Sequence, residues 1–310
     1  MKPSMRDARY RLIVLDVDGT LVDRERRISP DTLRALEMAQ ASGIRVTLAT
    51  GRMLASASPY ARKIRADAPL ILYNGARIQD PGSGAILYSA HLPRDQAIRG
   101  ARLARQFGLH ANLYLGEGIY IERVSEISRE SARKDGVEQV AVGDLVGLLE
   151  GRQDDPVKIL LIGPGERLEA FAAAYRAGTQ DLPHLVRSEP TYLEILRQGV
   201  TKGAALLRLC ELLGIPPSAA VAFGDNLNDL EMIQAAGLGV AMGNANAASG
   251  EPPAACKLLQ AEEDNPCVES WCSLRRWYGS SWRPKRAETW SISRMARVSG
   301  ERTSTRKATR

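Results

Sequence analysis

Long apolar runs are missing from this 310-residue chain. None approaches the roughly 18–20 residues of a bilayer-spanning helix, and the short apolar stretch near the start is cut by Asp16 and Asp18. Neither a membrane span nor a secretory leader is expected, and a cytoplasmic location is. Cysteine is scarce: Cys210, Cys256, Cys267 and Cys272 form no C-x-x-C pair, and the three histidines, His91, His110 and His184, lie elsewhere. That spacing excludes a structural zinc site and points to free thiols in a reducing compartment, with Cys210 a packing residue of a helix. Charge of one sign is also lacking over most of the chain. The formal net charge is +6, but residues 271–310 hold 11 Lys or Arg against 2 acids, so the remainder is mildly acidic. Such a body is not a nucleic-acid-binding domain on charge grounds.

What is present is ordinary globular composition, 44% apolar and 25% charged, in a length that suits about two domains. The uninterrupted Leu12–Leu15 within segment 11–18 reads as a strand buried on both faces, as in parallel sheets. A helix is expected next, with Ser29 as N-cap, Pro30 at its first position, Leu33, Leu36 and Ala39 on one face and Gly43 as its stop. Segments 45–51 and 69–75 read as further strands around a weaker helix, giving βαβαβ. The rhythm changes near residue 84. A helix at 94–108, a hairpin around Gly116 and Gly118, and an α+β stretch through residue 194 make an inserted domain. Core periodicity resumes with a helix at 202–215, a strand at 219–225, a helix from 228 and a strand at 238–244. The expected fold is therefore α/β, a doubly wound parallel-sheet core formed by residues 1–83 and 195–274, interrupted by an α+β cap at 84–194. Residues 275–310 form a basic tail, in which Trp277, Trp282 and Trp290 sit amid Ser and Arg without period, and disorder is expected there.

Three core strands end in polar sequence, Asp16-Val-Asp18-Gly-Thr, Thr50-Gly51-Arg52 and Gly224-Asp225-Asn226-Leu-Asn228-Asp229. In a doubly wound sheet, ligands bind outside the carboxyl ends of strands. Asp16 and Asp18, spaced by two on a regular strand, would face one side, with Asp225 arriving from a neighbouring strand. A hard divalent cation with oxygen ligands relieves the repulsion of three acids. Mg²⁺ held by carboxylates, waters and substrate phosphate fits best, and makes the chemistry that of phosphate.

Asp16-Val-Asp18-Gly19-Thr20-Leu21, Ala49-Thr50-Gly51-Arg52, Gly199-Val200-Thr201-Lys202-Gly203 and Gly224-Asp225-Asn226-Leu227-Asn228-Asp229 resemble, in order, the four motifs of haloacid dehalogenase superfamily phosphatases. With Tyr73-Asn74-Gly75-Ala76 and the insertion between the second and third motifs, the pattern is similar to the Cof-type subfamily, subclass IIB, with a C2B cap, over about residues 10–248. The resemblance implies that Asp16 is the nucleophile, forming an aspartyl-phosphate, and that Asp18 is the general acid and then base. It implies phosphoryl contacts from Thr50, Gly51, Lys202 and Asn228. It implies Mg²⁺ binding by the Asp16 carboxylate, the Asp18 main-chain carbonyl and Asp225, with Asp229 holding a metal-bound water. Arg52 could reach substrate or cap, and Asn74-Gly75 could simply be a turn. Tyr114, Tyr120, Tyr192 and His110 could line the leaving-group pocket or pack the cap.

Periodicity weakens after Asn246, the resemblance is faint past about residue 248, and from about 275 no match is visible. The tail is open to three readings: a passive extension, an altered reading frame, or an Arg- and Trp-bearing nucleic-acid-binding arm. For the whole chain the expected activity is Mg²⁺-dependent hydrolysis of small phosphomonoesters such as sugar phosphates. Phosphoryl transfer to a sugar and non-catalytic sugar-phosphate binding are the alternatives. The expected partner is a small-molecule substrate, with no membrane, and the sequence leaves the oligomeric state open.

Overall fold

In a computed structural model of the chain, residues 9–177 and 184–244 are described, together with the backbone of 257–258. The basic tail expected at 275–310 lies outside the described residues.

In chain order the elements are β1 (Leu12–Leu15), α1 (Pro30–Ala41), β2 (Arg45–Leu48), α2 (Leu54–Lys63), β3 (Leu70–Leu72), β4 (Arg77–Gln79) and β5 (Ile86–Ser89). There follow α3 (Arg94–Gln106), β6 (His110–Leu115), β7 (Gly118–Ile121), α4 (Glu126–Asp135), β8 (Val140–Ala141), α5 (Leu145–Glu150) and β9 (Lys158–Ile162). The last are α6 (Gly165–Ala177), β10 (His184–Glu189), β11 (Tyr192–Leu196), α7 (Lys202–Leu213), β12 (Ala220–Gly224), α8 (Leu230–Ala235), β13 (Leu238–Ala241) and β14 (Lys257–Leu258).

Two compact units result. Among the described residues, one takes those up to Ala49, Tyr60–Pro69 and those from Leu206 on, and the other takes Thr50–Pro59 and those from Leu70 to Ala205. The first unit is built on an all-parallel sheet in the order β14-β13-β12-β1-β2. Strand order reverses at β1, which has β2 on one side and β12 on the other, as the doubly wound reading requires. All four residues of β1 and all five of β12 are buried, so each strand is apolar without alternation. Helix α1 starts where its sequence says. The Ser29 hydroxyl accepts the Thr32 N–H at 3.0 Å, Pro30 opens the first turn, and Leu36 and Ala39 are buried with Ala35.

In the second unit the main sheet runs β10-β11-β9-β6-β7-β8, antiparallel except where β7 meets β8. The expected hairpin is there: Leu115 pairs with Gly118 across a turn at Gly116 and Glu117. Leu113, Ile159, Leu161 and Ile195 of this sheet pack with Phe171 and Tyr175 of α6 in one core. Each fully buried aliphatic side chain there contributes about 1.5–3 kcal/mol. A smaller antiparallel sheet, β3-β4-β5, completes the unit. Its middle strand was not read from the sequence, because three residues carrying Arg77 and Gln79 give no periodic signal, yet all three are buried.

Candidate functional site

In the first unit β1 and β12 are parallel neighbours, with Leu15 paired to Phe223, so Asp16 and Asp225 leave the sheet from the same edge. One carboxylate oxygen from each of Asp16, Asp225 and Asp229 lies within 4.8 Å of the other two. Asp16 is 6% exposed and Asp229 fully buried. Asp229 does two things at once. One of its oxygens accepts the backbone N–H groups of Asp225 and Asn226, both at 3.1 Å, which caps the turn Leu227–Asp229. That brace also turns its carboxylate toward the other two. Asn228 sits half-buried in the same turn.

Asp18 lies just beyond β1. The regular strand ends at Leu15, with the Asp16 N–H still donating to the Phe223 carbonyl at 3.0 Å, and Asp18 follows in the loop. Its backbone makes an isolated bridge to Val22, and the residue is exposed and outside the three-acid group. The chain bends away at Gly19, whose φ of +88° disfavours other residues, and a Cβ there would come within 2.8 Å of the Asp225 Cγ. Thr20 Oγ1 donates to Asp225 Oδ1 at 2.8 Å, and Asn244 Nδ2 donates to the Gly19 carbonyl at 2.9 Å. Asn244 Nδ2 also donates to Asp225 Oδ2 at 3.5 Å, so the loop after β1 is tied to Asp225 both directly and through Asn244. Three carboxylates this close, all hard oxygen donors, suit a divalent cation, whose charge offsets their repulsion.

In the second unit Thr50 is 1% exposed and its backbone is fully engaged: its N–H donates to the Ile71 carbonyl at 2.9 Å and its carbonyl accepts the Asn74 N–H at 2.9 Å. The Arg52 N–H donates to Thr50 Oγ1 at 3.2 Å. Asn74 is indeed in a turn, with φ of 55° inside Tyr73–Gly75. The next residue, Gly75, packs its Cα so closely on Thr201 that a Cβ would lie 2.6 Å from the Thr201 carbonyl carbon. Thr201 opens α7, its Oγ1 accepting the Ala204 N–H at 3.0 Å, and Lys202 follows. The Tyr73–Gly75 turn therefore links the Thr50-Gly51 segment to the start of α7. Lys202 is not the exposed lysine of an ordinary helix start: it is 1% exposed. A lysine is buried to that degree only where polar or charged groups receive its ammonium.

Arg52 turns to the cap. Its guanidinium lies 3.7 Å from the Asp135 carboxylate at the end of α4, both largely buried. The cap aromatics find partners of their own. Tyr114 stands edge-on to Tyr73 at 5.9 Å, Tyr192 lies under the Lys134 ammonium at 4.3 Å, and His110 bonds Asn112 Oδ1 at 2.8 Å. Burial holds His110 below the usual histidine value and drives the Tyr114 hydroxyl well above its own. Cys210 is buried and free, and its thiol is pushed up to about 11, as a packing residue would be.

Sequence reasoning missed a buried pair. Lys158 Nζ and Glu194 Oε2 are 2.6 Å apart, with side chains 3% and 4% exposed, and Lys158 also donates to the Gly51 carbonyl at 2.8 Å. The signal was a single charged residue interrupting each of two apolar strands, VKILLI and YLEIL.

The model of haloacid dehalogenase-like hydrolases matches residues 13–251. The chain belongs to this family. A relative from Serratia proteamaculans (strain 568), the HMP-PP phosphatase, is 32% identical over 243 residues, covering 76% of this chain and 85% of its own. A solved haloacid dehalogenase-like hydrolase from Bacteroides thetaiotaomicron is 31% identical, with a TM-score of 0.71 over 80% of this chain and 94% of its own. The HAD subclass IIB sugar phosphatase BT4131 shares the fold, with a TM-score of 0.67 at 21% identity over 86% of this chain and 98% of its own. This member is a phosphatase of the superfamily, and among its described residues no helix is long and apolar enough to cross a membrane.

Proposed function

We propose that the protein is a Mg²⁺-dependent cytoplasmic phosphatase of sugar phosphates and similar phosphomonoesters, working through an aspartyl-phosphate on Asp16. The observation that carries the proposal is the grouping of the Asp16, Asp225 and Asp229 carboxylates within 4.8 Å at the end of two neighbouring parallel strands. Asp16 and Asp225, with the main-chain carbonyl of Asp18, would hold the cation, and Asp229 would hold a water beside it. When bound, Mg²⁺ supplies positive charge that offsets the negative charge of the phosphoryl group and its attacking carboxylate.

The chain's own residues do the rest. An Asp16 oxygen attacks phosphorus as the bond to the leaving oxygen breaks, and the Asp18 carboxylic acid gives its proton to that oxygen. Asp18, now a carboxylate, then takes a proton from water as the water attacks the phosphorus of the acyl phosphate. This frees inorganic phosphate and restores Asp16. An exposed Asp18 suits a group that must reach a leaving group and then water. The motifs assign phosphoryl contacts to Thr50, Gly51, Lys202 and Asn228. In functional terms the core is 1–83 with 195–274 and the cap is 84–194, the cap selecting the leaving group.

The test is inorganic phosphate release from a panel of sugar phosphates and other phosphomonoesters, with Mg²⁺ or with EDTA, for wild type and Asp16→Asn. Release that needs both Mg²⁺ and Asp16 is expected. Release by Asp16→Asn near the wild-type rate, or undiminished release in EDTA, contradicts the proposal.

A further inference from the structure

We propose that Lys158, held by Glu194, is a positioning residue that aims the Thr50 hydroxyl. The idea rests on the phosphoryl-binding role proposed above for Thr50. Lys158 is 2% exposed in a strand whose other residues are all apolar. Its ammonium is caged: Glu194 Oε2 at 2.6 Å, the Gly51 carbonyl at 2.8 Å, the Tyr114 ring centroid at 4.8 Å and that of Tyr73 at 5.8 Å. As a stabilising device this is poor value, because a buried ion pair is often matched or bettered by apolar residues of similar volume. What apolar residues would not reproduce is the hydrogen bond to Gly51.

That bond acts on a rigid body. The Gly51 carbonyl and the Arg52 N–H belong to one planar peptide unit and point in opposite directions. Lys158 holds the carbonyl end, and the N–H at the other end donates to Thr50 Oγ1 at 3.2 Å. A hydroxyl has one proton and two acceptor lone pairs. With one lone pair committed to Arg52, the Thr50 proton is directed away from that amide, and both backbone groups of Thr50 are already engaged with Ile71 and Asn74. The single remaining freedom, rotation of the hydroxyl, is thus set by a peptide whose orientation is fixed from β9. The cap sheet and the second motif are coupled through Lys158, and Glu194 holds the ammonium in place.

The experiment compares wild type, Lys158→Met/Glu194→Leu, Lys158→Arg, Thr50→Val and the triple variant, with p-nitrophenyl phosphate as substrate. The paired replacement leaves no buried charge unpartnered, so it keeps the fold, which circular dichroism checks. The expected result is a kcat lower by about 10- to 100-fold in the paired variant with a smaller change in KM. The triple variant should be no slower than Thr50→Val alone, and Lys158→Arg should recover most of the rate. Losses that multiply in the triple variant, or full kcat in a folded paired variant, overturn the proposal. Hydrogen exchange of the Arg52 amide without substrate is an arm independent of turnover. It should be faster in the paired variant, and unchanged exchange also overturns the proposal. A wild type with a protected Arg52 amide but no turnover would instead overturn the phosphatase reading alone.

Discussion

Replacing Gly19 by Ala probes the link between the loop after β1 and Asp225. Two costs combine. Gly19 has φ of +88°, and a side chain in left-handed backbone costs about 1–2 kcal/mol, partly offset by ~0.4–1 kcal/mol from a stiffer unfolded chain. The added methyl would also sit on the Asp225 carboxylate, within 2.8 Å of its Cγ, and overpacking of this kind costs roughly 1–3 kcal/mol. Gly84 isolates the first cost: its φ is +74° and a Cβ there meets nothing within 4 Å. The second cost therefore appears as the difference between Gly19→Ala and Gly84→Ala. At ~2–4 °C per kcal/mol for a domain of this size, that difference is roughly 2–12 °C in melting temperature. Because Asp225 must move, the Mg²⁺ concentration for half-maximal phosphate release should rise in Gly19→Ala and stay at the wild-type value in Gly84→Ala. Thermal melts and a Mg²⁺ titration of both variants give the answer. Equal melting temperatures with equal Mg²⁺ dependence would refute the claim that Gly19 is required by the approach of Asp225.

The buried pair makes a prediction about stability. Lys158→Met alone, which strands Glu194, should cost ~3–5 kcal/mol, and Lys158→Met/Glu194→Leu markedly less, as read by urea denaturation. Equal losses would show that the ion pair is not coupled. The histidines predict a pH effect. Burial is the first cause that lowers both His91 and His110 in the folded state, with the Arg77 charge adding to it at His91. The unfolded chain therefore takes up protons first as pH falls below about 6.5, so stability is full above that value and is lost as pH drops toward the lower folded values. A His91→Gln/His110→Gln variant should show a flatter melting temperature from about pH 7 to 5, and an unchanged slope would count against this assignment.

Much of the fold was legible because local rules and burial agreed. Ser29, Pro30 and Gly43 bracket α1, Gly116 and Glu117 turn the β6–β7 hairpin, and the unbroken apolar runs of β1 and β12 become buried parallel strands. The three-acid group was readable from strand ends alone for Asp16 and Asp225. For Asp18, which lies past the end of β1 in the loop that bends at Gly19, strand alternation sets no position. Lys158, Glu194 and Arg77 were missed. Composition places charged residues outside, and only the tertiary structure shows the partners that let them be buried, here Gly51, Tyr114, Tyr73 and Glu117. The sequence placed Arg52 between two options, and its pairing with Asp135 required knowing where α4 ends.

The claim at the centre of this account is that Asp16 carries the phosphoryl group. Rapid acid quench during steady turnover, followed by borohydride reduction and peptide mass spectrometry, reads it directly, since reduction of an aspartyl-phosphate leaves homoserine at that position. The account predicts homoserine at residue 16, present with Mg²⁺ and substrate and absent in EDTA. Vigorous Mg²⁺-dependent phosphate release with no modification at residue 16, or with the modification at another aspartate, would contradict it.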